Sequence, residues 1–102
     1  MILRKQKDDL DIQFESKEQQ HSFNFPYQCG TNGDDPKKGE TNAHNVEDGD
    51  ILIVGSDGLW DNMHRHKIVS LIGRFTRETP VIKDMGLVAE MIAKEAEKLS
   101  YL

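Results

Sequence analysis

Hydrophobic and polar residues alternate near the start of the chain. Apolar side chains occupy every second position in a stretch that follows a charged turn, at Leu10, Ile12 and Phe14. A period of two is typical of a strand with one solvent-exposed face. Together with the apolar start at Ile2 and Leu3, this stretch predicts a β-hairpin.

The middle of the chain lacks this pattern. Residues 23–27 are predicted to be extended, and Pro26 confines them to a sheet edge or a loop. Residues 30–50 contain several glycines and few large apolar side chains, which predicts a loop. The run Ile-Leu-Ile-Val at residues 51–54 is apolar at every position, so we predict a strand buried on both faces.

After Gly58 the apolar residues follow a helical period. The first predicted helix carries its apolar stripe at spacings of four and three residues, at Ile68, Ile72 and Phe75. Asp61 or Asn62 is placed to cap its start, and Pro80 ends it. The second predicted helix has a longer stripe, formed by Met85, Val88, Ile92, Ala96 and Leu99.

These elements predict an α+β fold in a single partial domain over residues 1–102, with antiparallel strands and two antiparallel helices packed on one face. Residues 1–29 hold the hairpin and the extended segment, residues 30–50 the loop, and residues 51–102 the strand and the two helices. A strand buried on both faces needs more neighbours than these elements supply. Two arrangements are compatible with this set of elements: a small closed α+β layer, or one side of a larger sheet.

Composition narrows the class of protein. The 102 residues carry a formal net charge of −5, which argues against a nucleic-acid binder, because such proteins neutralise phosphates with clustered basic residues. Cys29 is the single cysteine, so no disulfide can form within the chain, and we expect this side chain to be half-buried. No apolar run approaches the roughly 20 residues that cross a bilayer. We expect an intracellular protein without a membrane span.

The residues with the clearest chemical potential follow the apolar strand. Asp57 comes at its carboxyl end, where Gly58 permits a tight turn, and Asp61 follows four residues later. Two carboxylates that face a shared space suit Mg²⁺ or Mn²⁺, which prefer oxygen ligands. From spacing alone, the simpler interpretation is a turn residue followed by a helix cap.

Other polar and aromatic residues receive simpler interpretations. His64 and His66 are two residues apart, so on a helix they would point to nearly opposite sides and stay in solvent. Trp60 is expected to anchor a turn against the core. A group of acidic residues is expected to form a solvent-exposed face, comprising Asp34, Asp35, Glu40, Glu47, Asp48 and Asp50.

Two segments resemble a known family. The sequence GDILIVGSDGLWDNM, residues 49–63, is similar to the signature of the metal-dependent PPM (type 2C) serine/threonine protein phosphatases. The sequence SKEQQHSFNFPYQ, residues 16–28, resembles the matching segment of a branch with mitochondrial and plastid members, related to the T-cell-activation phosphatase homologue. The resemblance implies part of an αββα sandwich, and its branch suggests a mitochondrial or plastid location.

The resemblance also implies a chemistry. Asp57 would bind a binuclear Mn²⁺ or Mg²⁺ centre, and Asp61 would bind a more weakly held third ion. Water activated by the metals would then attack phosphoserine or phosphothreonine of protein substrates. The resemblance assigns no further catalytic residue to this chain.

Several family motifs are missing from these 102 residues. They are the N-terminal Asp-Gly metal motif, the Gly-Asp-Ser-Gly motif and the closing Asp-Asp-Ile-Thr type of motif. We therefore predict a fragment from the C-terminal half of a phosphatase, inactive alone and prone to self-association through exposed sheet edges. The alternatives are a non-catalytic binding module or pseudophosphatase remnant, and an unrelated small α+β domain in which Asp57 is a turn residue.

Overall fold

Two units make up this computed structural model, one formed by Met1–Glu15 with Glu47–Leu102 and the other by Ser16–Val46. The structure describes residues 1–7, 9–17, 20–22, 25–26, 28–78 and 82–101. The strands, in chain order, are β1 (Ile2–Gln6), β2 (Asp9–Phe14), β3 (Gln20–Ser22), β4 (Phe25–Pro26) and β5 (Ile51–Leu52). The helices are α1 (Asp57–Trp60), α2 (Arg65–Glu78) and α3 (Met85–Ser100). This content confirms the predicted α+β class.

A three-stranded antiparallel sheet lies in the larger unit, in the order β2-β1-β5. Leu3 on the central strand β1 is opposite Ile12 of β2 and Ile51 of β5. The predicted hairpin of β1 and β2 is therefore confirmed. The ladder continues past β5, because the backbone N–H of Ile53 donates to the carbonyl of Met1 at 2.9 Å.

β5 differs from its prediction. We expected a strand over residues 51–54 that is buried on both faces, but the strand covers two residues and its burial alternates. Ile51 and Ile53 are half-buried, whereas Leu52 is 68% and Val54 is 85% exposed. Within the described sheet β5 pairs with β1 alone. The apolar run therefore belongs to a strand that has one covered face and one open face.

The core of the larger unit lies between the sheet and the two long helices. Its most buried side chains are Leu3 of β1 with Ile68 and Ile72 of α2, all at most 1% exposed. Val88, Ile92 and Ala96 supply the buried stripe of α3. These positions confirm the helical period predicted for α2 and α3.

The start of α3 has a side-chain cap. The Asp84 carboxylate accepts a hydrogen bond from the backbone N–H of Leu87 at 3.0 Å, which satisfies one of the unpaired donors of the first turn. Met85, which we predicted in the apolar stripe, is 49% exposed, because it is the first helical residue and lies before the part of α3 that packs. Pro80, the predicted helix breaker, lies outside the described residues.

The smaller unit contains the antiparallel pair of β3 and β4. A 3-10 turn at Pro36–Lys38 is capped by Asp35, which accepts from the backbone N–H of Lys37 at 2.9 Å. The extended segment predicted over residues 23–27 agrees with β4, while Phe23 and Tyr27 lie outside the described residues. None of the described helices is long and apolar enough to span a membrane.

Candidate metal site

The chain from β5 to α2 places the two candidate carboxylates. After Ile53 the chain leaves the sheet and reaches α1, a single helical turn that sequence analysis did not predict. Ser56 caps this turn, because its Oγ accepts from the backbone N–H of Gly58 at 3.3 Å. The signal was present in the sequence, since a serine followed by an acidic residue is a common helix start.

Asp57 and Asp61 occupy the two ends of α1. Asp57 is its first residue, and Asp61 is its C-cap with helical dihedral angles of −79° and −22°. The backbone N–H of Asp61 donates to the carbonyl of Asp57 at 2.8 Å. Residues four apart on a helix are neighbours on one face, with Cβ atoms about 5–6 Å apart. The turn therefore brings the two predicted metal ligands together on one side.

Both carboxylates lie at the surface. Asp57 and Asp61 are exposed, and among the described residues no side chain donates a hydrogen bond to either of them. Carboxylate oxygens are the ligands that Mg²⁺ and Mn²⁺ prefer, and both ions commonly keep several waters. The two residues thus fit a divalent cation as two of its ligands. In the described part of the chain, no cluster of three or more acidic, histidine or cysteine side chains could hold a metal ion.

Trp60 fixes the connection that precedes α1. Its indole Nε1–H donates to the carbonyl of Gly55 at 2.8 Å. The chain is tightly folded here, because a Cβ at Gly55 would lie 2.7 Å from Cδ2 of Leu59. Trp60 is nevertheless 36% exposed. We predicted that it anchors a turn against the core, and the structure shows a turn anchor that works through a hydrogen bond and keeps one side in solvent.

An apolar groove of about 490 Å³ lies on the other side of α1, against α3. Gly58, Leu59 and Asn62 line it from the turn, and Ala89 and Ala93 line it from α3. Neither Asp57 nor Asp61 belongs to its lining. The turn therefore has an apolar side toward α3 and an acidic side away from the groove.

The predicted cap of α2 is wrong. We expected Asp61 or Asn62, but α2 begins at Arg65 and His64 precedes it. Nδ1 of His64 accepts from the backbone N–H of His66 at 3.2 Å. The two rings stack with centroids 4.9 Å apart, so they do not point to opposite sides, because His64 lies before the helix. Both histidines are exposed, as predicted.

An ion pair fixes the start of β5. Nε and Nη2 of Arg4 donate to the two carboxylate oxygens of Asp50 at 3.0 and 2.9 Å, and the backbone N–H of Glu47 donates to the same carboxylate at 2.8 Å. The Arg4 hydrogen bond, with that backbone donor, lowers the pKa of Asp50 below its ordinary value. We predicted an acidic surface that included Asp50, but its side chain is only 6% exposed. The pairing was not apparent in the sequence, because the two partners are 46 positions apart.

Cys29 is exposed rather than half-buried. It lies in the loop after β4, where the described residues contribute nothing to the buried core. Our prediction used the general preference of cysteine for burial, and that preference does not determine where a loop residue lies.

Comparison with known proteins shows similarity to phosphatases. The chain is 44% identical over 61 residues to "Probable protein phosphatase 2C 55" of Arabidopsis thaliana, covering 58% of this chain and 13% of that protein. It is 33% identical over 92 residues to "Probable protein phosphatase 2C 26" of the same plant, covering 88% of this chain and 30% of that protein. It is 28% identical over 100 residues to the human "Protein phosphatase PTC7 homolog", covering 89% of this chain and 32% of that protein.

The chain therefore spans between 13% and 32% of the length of these three relatives. No model of a known protein family matches the chain. No solved structure matches it either.

Proposed function

Because the curated homologues of this chain are protein phosphatases of the 2C (PPM) type, we propose that the chain is part of a metal-dependent protein serine/threonine phosphatase. The observation that carries the proposal is the presentation of Asp57 and Asp61 on one exposed helical turn. These are the two residues that the family resemblance assigns to metal binding. Their place after a sheet strand is where ligands commonly bind in layered folds.

In this proposal Asp57 and Asp61 hold Mn²⁺ or Mg²⁺, with Asp57 at a binuclear centre and Asp61 at a more weakly bound ion. When bound, such ions lower the pKa of a coordinated water and neutralise charge on a phosphoryl group. The chain's own part is to present two carboxylates without competing donors among the described residues. Phosphoserine and phosphothreonine of proteins are the proposed substrates of the whole enzyme.

These 102 residues are expected to have no phosphatase activity by themselves. A binuclear centre requires several carboxylates from different elements, and the described residues contain no group of three or more side chains that could hold a metal ion. Two monodentate ligands leave most of the coordination sphere to water, so we expect binding in the millimolar range. Phosphatase activity in the isolated chain would contradict this account and would show that the missing ligands are supplied in another way.

We also propose that the isolated chain associates with itself through the open face and free edge of β5. Leu52 and Val54 are exposed on that face, and the described sheet leaves the outer edge of β5 unpaired. Exposed apolar edge strands commonly pair with other chains. Sedimentation at several concentrations tests this proposal, and a strictly monomeric species at high concentration would refute it.

A Mn²⁺ titration tests the metal site directly. Trp60 is the single tryptophan and lies between the two carboxylates in sequence, so paramagnetic Mn²⁺ bound there should quench its fluorescence. A concentration ten times the dissociation constant should stabilise the fold by about 1.4 kcal/mol. That corresponds to a rise of roughly 5–10 °C in Tm for a domain of this size.

Asp57→Asn is the decisive variant, and Asp11→Asn is its matched control, because Asp11 is an exposed carboxylate on β2. We expect the quenching and the rise in Tm to disappear in Asp57→Asn and to persist in Asp11→Asn. Equal responses in both variants would refute the metal site. In that case the binding-module alternative would gain support.

A further inference from the structure

We propose that Trp60 is a positioning residue for the metal ligand Asp57, an inference that rests on the proposed function. Its hydrogen bond to Gly55 joins the last residue of α1 to the residue two positions before Asp57. The bond therefore closes the short connection from which the Asp57 side chain projects. No part of the family resemblance assigned a role to this indole N–H.

Trp60 holds two consecutive carbonyl groups of the connection. The indole N–H donates to Gly55 at 2.8 Å, and the backbone N–H of Trp60 donates to Ser56 at 3.3 Å. Asp57 follows directly after these two residues. The orientation of its Cα–Cβ bond is therefore fixed by a segment that is bonded at two successive peptide groups.

α1 needs such a constraint, because one helical turn is not stable by its own hydrogen bonds. The Ser56 cap is another side-chain hydrogen bond that could stabilise α1, but it is longer, at 3.3 Å. The indole hydrogen bond is the shorter of the two, at 2.8 Å. Loss of the N–H should let the Gly55 carbonyl rotate and should broaden the range of directions available to the Asp57 carboxylate.

A single tryptophan makes the test site-specific. In a tryptophan auxotroph, Trp60 can be replaced throughout by benzothienylalanine, which keeps the shape of the ring and substitutes sulfur for N–H. Trp60→Phe removes the same donor with a genetic change. Mg²⁺ binding is measured from the amide chemical shifts of Gly58 and Asp61, and Tm is measured separately by circular dichroism.

We expect both replacements to weaken Mg²⁺ binding roughly 3- to 10-fold, because the net free energy of one hydrogen bond changes the population of the binding conformation of the turn by about this factor. The far-UV circular dichroism spectrum should stay unchanged. Asn62→Ala is the matched control. Its Nδ2–H donates to Gly58 in the same turn, also at 2.8 Å, but on the side that faces the groove. We expect this variant to change the affinity less than twofold.

The outcomes separate the two proposals. If the unmodified chain binds no Mg²⁺, or if Asp57→Asn binds it equally well, the proposed function fails. If the unmodified chain binds Mg²⁺ and the benzothienylalanine protein binds it with the same affinity, the role of Trp60 is refuted while the metal site stands. The positioning role would also be overturned if Asn62→Ala lost as much Mg²⁺ affinity as the two Trp60 replacements, or if both replacement proteins unfolded. Either result would show that Trp60 stabilises the turn in general.

Discussion

Leu3 and Leu52 offer a matched test of the two-faced sheet. They lie on neighbouring strands, yet Leu3 is fully buried and Leu52 is 68% exposed. Substituting each by alanine removes the same atoms from opposite environments. The comparison decides between the structure, in which one face of β5 is open, and our sequence prediction of a strand buried on both faces.

The expected penalties follow from burial. Leu3→Ala leaves a cavity in a packed core, where such changes typically cost about 2–5 kcal/mol. With about 3 kcal/mol lost, Tm should fall by roughly 12–24 °C. Leu52 buries about a third of its surface, and full burial of leucine stabilises by about 1.5–3 kcal/mol. The Leu52→Ala penalty should therefore stay below about 1 kcal/mol.

Thermal and urea unfolding of the two variants, followed by far-UV circular dichroism at low micromolar concentration, measures these penalties. Low concentration matters because self-association through the open face would add to the apparent contribution of Leu52. Equal penalties for the two variants in a monomeric sample would refute the assignment of an open face. A negligible penalty for Leu3→Ala would refute the core itself.

Three further changes test individual interactions. Asp50→Asn should lower the free energy of unfolding at neutral pH. The difference from the unmodified protein should shrink as pH falls below the ordinary Asp value of 3.8 toward the lowered folded pKa, because a carboxyl group with a lowered pKa stabilises the fold only while it is ionised. A pH-independent difference in unfolding free energy would contradict the ion pair with Arg4. Asp84→Ala should cost about 1 kcal/mol by removing the α3 cap, whereas Asp84→Asn, which keeps an accepting oxygen, should cost clearly less when the two are compared in urea. Ser56→Ala should weaken Mg²⁺ binding by about twofold or more through loss of the α1 cap, and an unchanged affinity in the same chemical-shift titration would exclude Ser56 from organising the turn.

Regular patterns in the sequence predicted the hairpin and both long helices correctly. The spacing of Ile68 and Ile72 in α2 reports which face of the helix is covered, because both side chains are buried. In β2 the period of two holds only in part, because Leu10 is buried and Ile12 is 37% exposed. β5 was harder, because an apolar residue at every position does not say whether a second layer is present. Leu52 and Val54 are apolar and yet exposed.

Metal binding by the two carboxylates of the candidate site stays a prediction, and the local geometry of the site was not predicted. Spacing and family resemblance indicated Asp57 and Asp61. The helical turn that joins them contains an indole hydrogen bond to Gly55, which hydrophobic periodicity does not report. The Arg4 pair with Asp50 was missed for a related reason, because it forms only after β1 and β5 are in register. Tertiary hydrogen bonds of this kind have no signature in a single sequence.

The strand order has a consequence for the segment between Glu15 and Glu47. β2 and β5 both flank β1 and are both antiparallel to it, and neighbouring strands are about 4.8 Å apart, so the two strands that this segment connects lie only about 10 Å apart across the sheet. Doubling the length of a flexible loop costs only about 0.6 kcal/mol of closure entropy. Insertions and deletions should therefore accumulate here at little energetic cost, and this stretch can diversify while the frame that carries the acidic turn stays unchanged.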